Sequence, residues 1–192
     1  MSQLGIGRYK TIGGYVTNKL KEFGSGEISF ERLFELMFSE KSNIMYEKSV
    51  GYKIVSYTYE EVYRNVIDLS ARLKEEFSDL PADSVIGLYM DNSLEWIEFF
   101  WAILCSSHKP LLMNLRLDEQ TLERALADSH AAAVVSEGKT FSVKTYKASD
   151  LIASVKGKGA ALPGGPFGTE LFVMSSGTSS HVKICAYSAE QL

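Results

Sequence analysis

Apolar positions recur along this chain with two different spacings, and each spacing marks out its own kind of element. In "GEISFERLFELMFSE" the residues Phe30, Leu33, Phe34, Met37 and Phe38 stand three and four apart, as on one face of a helix that turns toward a core. Two short strands follow in "NIMYEKSVGYKIVSYT", over 43–47 and 52–57, joined by a turn that includes Gly51. Thr58 and Glu61 then have the spacing of a capping box. Beneath them Val62, Val66, Leu69, Leu73 and Phe77 form one apolar stripe, which predicts a helix over about 59–77.

From residue 84 the pattern changes to short, nearly unbroken apolar runs: "SVIGLYM" (84–90), "PLLM" (110–113) and "AAAVVS" (131–136), with helical spacing between them. The first intervening helix starts at a cap near Asn92 or Ser93 and carries Leu94, Ile97, Phe100, Trp101 and Leu104 inward. On this reading Trp96 and Trp101 are core residues, and Glu95 and Glu98 belong to the helix's polar face. The second helix follows Asp118 as cap and carries Leu122, Ala125 and Leu126, with Leu117 placed to staple its entry. Apolar strands alternating with helices predict an α/β fold, a predominantly parallel sheet flanked by helices. After residue 137 the chain grows more polar. "FSVKTY" reads as a short strand, "KGKGAALPGGPFG" (156–168) as a loop or linker, and "ELFVM" (170–174) as a strand leading into a hydroxyl-rich loop. The expected organisation is an N-terminal helical segment over 1–42 and an α/β domain over 43–192.

The chain has 192 residues, 45% of them hydrophobic and 23% charged, enough apolar material for one sizeable soluble domain. Its formal net charge of -4 argues against a broad basic surface for nucleic acid. Cys105 and Cys185 fall in no metal-ligand spacing, and the longest apolar run, around Trp96 to Cys105, is too short to cross a bilayer. With an N-terminus that lacks an apolar signal core, these features lead us to expect reduced thiols and a cytoplasmic protein.

The candidate chemistry lies in "SSGTSSHVK". A loop that leaves a buried strand can turn backbone N–H groups toward one anion, and a glycine lets the backbone curl around it. Ser175, Ser176, Thr178, Ser179 and Ser180 offer hydroxyl donors around Gly177, and Lys183 offers a compact positive charge. Phosphate is the natural guest, and a solvated polar turn is the alternative. The stretch is not a Walker loop, because Val182 stands where GxxxxGK[ST] needs glycine. His108 at a helix end and His130 before a strand read as helix-terminal or surface residues, and His181 as a loop residue that either touches a phosphate or faces solvent. No catalytic group and no metal constellation stands out.

Four blocks in series resemble the adenylate-forming superfamily of acyl-CoA synthetases, peptide-synthetase adenylation domains and luciferases. "YTYEEVYRNVIDLSARLKE" is similar to the family's TY-x-EL helix, and "DSVIGLYMDNSLEWIEFFWAILCSSHKPLLMNLRL" to its D-x-V…NS-x-E(W/F)…P…NP-x-L run. "DEQTLERALADSHAAAVVSE" resembles the helix and strand that follow. "MSSGTSSHVKICAYS" stands where the family has its phosphate loop, commonly [ST]SG[ST]TGxPKGV. The resemblance covers roughly 45–192, with departures at Ser107, His108, Leu115, Ser180, Val182 and Ile184. It implies that Ser175, Ser176, Gly177, Thr178, Ser179 and Lys183 bind ATP phosphates with Mg²⁺. It further implies that a carboxylic acid is activated as its acyl-adenylate, with coenzyme A or a carrier-protein thiol as acceptor. The family's remaining motifs lie downstream of this loop, so the chain is expected to be an N-terminal piece, inactive alone and prone to self-association. The alternative is a non-catalytic homologue that serves as a binding or scaffold module.

Overall fold

The computed structural model describes residues 12–24, 26, 28–155, 159–162, 164–175 and 182–192. Two helices lead, α1 (Ile12–Gly24) and α2 (Phe30–Met37), followed by a hairpin of β1 (Ile44–Val50) and β2 (Lys53–Thr58). The hairpin closes through Gly51 and Tyr52, between the paired Val50 and Lys53, and Gly51 has the positive φ of 60° that such a tight turn requires. Then come α3 (Tyr59–Glu76), β3 (Val85–Tyr89), α4 (Leu94–Cys105), β4 (Lys109–Leu112), α5 (Glu119–Asp128), β5 (Ala131–Ser136), β6 (Lys144–Lys147), α6 (Ala148–Ala153), β7 (Glu170–Ser175) and β8 (Lys183–Ser188).

The capping box forms as its spacing predicts: the Thr58 hydroxyl accepts from the Glu61 N–H, and the Glu61 carboxylate accepts from the Thr58 N–H. Ser93 caps α4 and Asp118 caps α5, each through its side-chain oxygen. The predicted α3 stripe of Val62, Val66, Leu69, Leu73 and Phe77 is buried along its whole length.

Strands β6-β5-β3-β4-β7-β8 make one six-stranded sheet, parallel except for β8, which runs antiparallel to β7. Residues alternate between its two faces. Ile86, Leu88, Ala133 and Val135 join the large cluster formed with α2, α3 and α4, whereas Val85, Val134 and Leu111 join a smaller cluster under α5. The described part of the 156–168 segment docks against α3 and α4 rather than running free. Asp68 accepts from the Gly159 and Ala160 N–H groups at 3.1 and 2.8 Å, and Phe167 is buried against Phe34. Gly168 donates to the Leu104 carbonyl at 2.8 Å.

Two expectations for α4 and its end are corrected. Glu98 is only 6% exposed and faces α3, because α4 is enclosed by α2, α3 and the sheet, and a helix enclosed on most sides has no broad polar face. His108 is interior at 4% exposure, its ring edge-on to Phe77. The chain reaches that position through a reversal in which Ser107 takes φ 68°, with Ser107 N–H on the Leu104 carbonyl and His108 N–H on the Ile103 carbonyl. These are the two bonds of a Schellman motif, made here with serine at the left-handed position that usually takes glycine.

Candidate functional site

The parallel strands β3, β4, β5 and β7 all point their carboxyl ends the same way, and the sequence-predicted loop leaves from that end. Ser175 is the last residue of β7 and Lys183 the first of β8. The antiparallel register sets them directly opposite each other, and the Ser175 hydroxyl donates to the Lys183 carbonyl at 3.2 Å. Lys183 is exposed and Ser175 half-buried. One step down the ladder Met174 faces Ile184, and both pack against the α5-side cluster. The hairpin base is therefore seated on apolar contacts. Of the predicted site residues, the structure thus brings together Ser175 and Lys183. Ser176, Gly177, Thr178 and Ser179, with Ser180 and His181, lie outside the described residues.

The register also explains what stands beside this hairpin. β4 runs parallel to β7, with Leu112 paired to Val173, so the chain after β4 emerges on the same side as the β7–β8 turn. There a crevice of about 530 Å³ is lined by Asp91, Asn92, Trp96, Asn114 and Arg116 over a floor of Met90, Leu112 and Met113. The Asn114 Oδ1 accepts from the Arg116 N–H at 3.0 Å, which shapes that turn. Trp96 is half-buried, stacked on Phe100 at 5.8 Å, so it is a wall of the crevice as well as a core residue. Sequence reasoning named the neighbouring Leu115 as a family departure and singled out neither Asn114 nor Arg116. The signal that could have found them is their place immediately after a buried strand of a parallel sheet, where ligands of such sheets collect.

Electrostatics near the start of α4 are set by one ion pair and one buried acid. Lys48 of β1 meets Glu95 at 3.2 Å, tying the hairpin to the helix, and its pKa is raised by that bond. One turn on, Glu98 accepts from the Asn65 side chain at 2.7 Å, and burial raises its pKa to about 7. Burial likewise lowers the His108 pKa and pushes the Cys105 thiol up, which makes both poor candidates for chemistry at the surface. Among the described residues no group of three or more His, Cys, Asp or Glu could hold a metal ion, and no helix is long and apolar enough to cross a membrane.

Comparison with known proteins agrees with the fold. A family model described as AMP-binding enzyme matches residues 40–164, a range that ends before β7. Comparison with curated protein sequences returns no match. Among solved structures, the chain is similar to the Klebsiella oxytoca NpsA N-terminal subdomain in complex with 3-hydroxyanthranilyl-AMSN. That match has a TM-score of 0.64 at 16% identity and covers 82% of this chain and 39% of the other. It is also similar to Bacillus subtilis O-succinylbenzoate coenzyme A synthetase, MenE, in complex with AMP, with a TM-score of 0.63 at 14% identity, over 82% and 41%. The same synthetase solved with its acyl-adenylate intermediate matches with a TM-score of 0.61 at 14% identity, over 79% and 40%. The chain thus spans about two fifths of the length of the solved structures it matches.

Proposed function

Because the chain belongs to the AMP-binding enzyme family, we propose that it supplies the phosphate-gripping part of an AMP-forming carboxylate ligase. The observation that carries this reading is the hairpin at the carboxyl end of the sheet, which sets Ser175 and Lys183 face to face at the mouth of the hydroxyl-rich loop. In the proposed reaction a carboxylate oxygen attacks the α-phosphorus of ATP, forming the acyl-phosphate bond of an acyl-adenylate as the bond to the departing pyrophosphate breaks. Lys183 donates to oxygens of the leaving β- and γ-phosphates, and the Ser175 hydroxyl turns from the Lys183 carbonyl toward them. Ser176, Gly177, Thr178 and Ser179 complete the grip. The thiol of coenzyme A or of a carrier-protein arm then attacks the acyl carbon, forming a thioester as the acyl-phosphate bond breaks and AMP leaves, with the thiol proton released to solvent. Among the described residues no group of three or more His, Cys, Asp or Glu fits a resident Mg²⁺.

Three of the family departures bear on this reading, Ile184 in one direction and Ser180 and Val182 in the other. Ile184 sits inside β8 as the partner of Met174, so its bulk is absorbed by the sheet and leaves Lys183 at the mouth. Ser180 and Val182, at positions that resemble the family's glycine and proline, favour the second reading, a non-catalytic homologue acting as a binding module. The chain, spanning two fifths of its structural relatives, is proposed to hold ATP without completing adenylation alone. Phosphorus NMR of ATP titrated with the chain tests the grip. We expect saturable shifts of the β- and γ-phosphorus signals and at least about tenfold weaker binding in Lys183→Ala. Unchanged binding in that variant, or none in the wild type, overturns the proposal, and acyl-adenylate formed by this chain alone overturns its incompleteness.

A further inference from the structure

A second crevice, of about 470 Å³, opens on the far side of β3 from the phosphate hairpin, where β3 and β5 end side by side. Topology puts it there. β3 leads through α4 to β4 on one side, whereas β5 leads to β6 on the other, so the two connections leave in opposite directions and part the chain above the sheet. The volume lies within the range of small-molecule sites.

Its chemistry is two-sided. The walls are apolar, built from Met90, Ala148, Ile152 and Ala153, and they account for Ile152, an aliphatic side chain left 40% exposed on α6. The polar rim carries the carboxylates of Asp91, Glu95 and Glu137, and no Lys, Arg or His is among its described lining residues. Lys48 is paired with one Glu95 oxygen at 3.2 Å. Glu137 is held in place by the Ser149 N–H at 2.9 Å, and the Ser93 hydroxyl is committed to the Trp96 N–H. An anion brought here would face several carboxylates across a low-dielectric wall, and a neutral apolar molecule would leave them unused.

We propose that this crevice is a second ligand site, for a small organic amine bound as its ammonium. The apolar body lies between Met90, Ile152 and the two alanines, and the N–H groups donate to the carboxylates of Asp91, Glu95 and Glu137. The site is separate from the phosphate hairpin, with β4 standing between β3 and β7. It does not depend on the ligase reading.

Benzylamine and its neutral analogue benzyl alcohol are the probes, followed by amide chemical shifts of the wild-type chain. The expected result is a saturable benzylamine effect confined to amides around Met90, Ser93, Glu137, Ser149 and Ile152, with benzyl alcohol at least about tenfold weaker. The double variant Asp91→Asn, Glu137→Gln keeps both side-chain shapes and should remove the preference for the amine, while Ala153→Trp should block both probes. Equal binding of the two probes by the wild type, shifts elsewhere on the molecule, or no saturation up to about 10 mM overturns the proposal. The wild-type comparison decides even if a variant fails to fold.

Discussion

Replacing Glu98 by glutamine should stabilise the protein at alkaline pH and do almost nothing at acid pH. The Glu98 carboxyl is 6% exposed, it accepts from Asn65 at 2.7 Å, and its pKa stands at about 7 against an ordinary 4.5. Burial is the main cause; the Asn65 hydrogen bond and Lys48 oppose it, and the Glu95 charge adds to it. The sign follows from which state holds the proton. Between pH 4.5 and 7 the folded chain keeps a proton that the unfolded chain releases, so stability is greatest below the lower value and falls as pH rises toward the upper one. At 1.36 kcal/mol for each pH unit of that gap, ionised Glu98 costs the fold about 3 kcal/mol at pH 8. Glutamine keeps an oxygen for Asn65 and carries no charge. Urea unfolding of both proteins should show the variant ahead by up to about 3 kcal/mol at pH 8 and level within about 0.5 kcal/mol at pH 4.5, with equal m-values. The same difference at both pH values, or a variant weaker at pH 8, would refute the reasoning. Titrating groups other than Glu95 and Lys48, which couple to Glu98, are common to both proteins and cancel in the comparison.

Two further outcomes test how the site's surroundings are held. Gly168→Ala should cost about 2 kcal/mol in urea unfolding, because a Cβ there would run into the His108 carbonyl and break the seat that the Gly168 N–H makes on Leu104. An unchanged midpoint would mean that the entry to β7 is not docked as described. Thr58→Ala should cost about 1 kcal/mol by opening the α3 capping box, with Thr58→Ser restoring most of it; equal losses in both variants would point to something other than the hydroxyl.

Much of this fold was legible because the signals are local. The α3 stripe, the Thr58 and Glu61 box, the Ser93 and Asp118 caps and the apolar strands each depend on residues within a few positions of one another, and each stands where its spacing indicates. The Gly51 turn is equally local, since a positive φ at a two-residue turn is a demand on one residue. Glu98 shows where such reading stops. Its spacing along α4 placed it with Glu95 on a polar face, and only the arrival of α2, α3 and the sheet on several sides turned it inward. His108 was misread for a similar reason, since the 164–168 segment and Phe77, distant in sequence, close over the helix end.

The candidate site divides the same way. The hydroxyls and lysine of the loop are visible in the text of the chain, whereas the pairing of Ser175 with Lys183 follows from the antiparallel register of β8. The crevices beside Arg116 and Ile152 follow from the strand order, which lets connections diverge above β3 and β5. By itself the sequence determined the long helices, the apolar strands, their caps and the stock of polar groups, but not the short α6 or β8, because the former depend on backbone preference and short-range periodicity. Only the tertiary structure decided strand order, which polar groups lost water and which side chains share a cavity, because those depend on contacts between segments tens of residues apart.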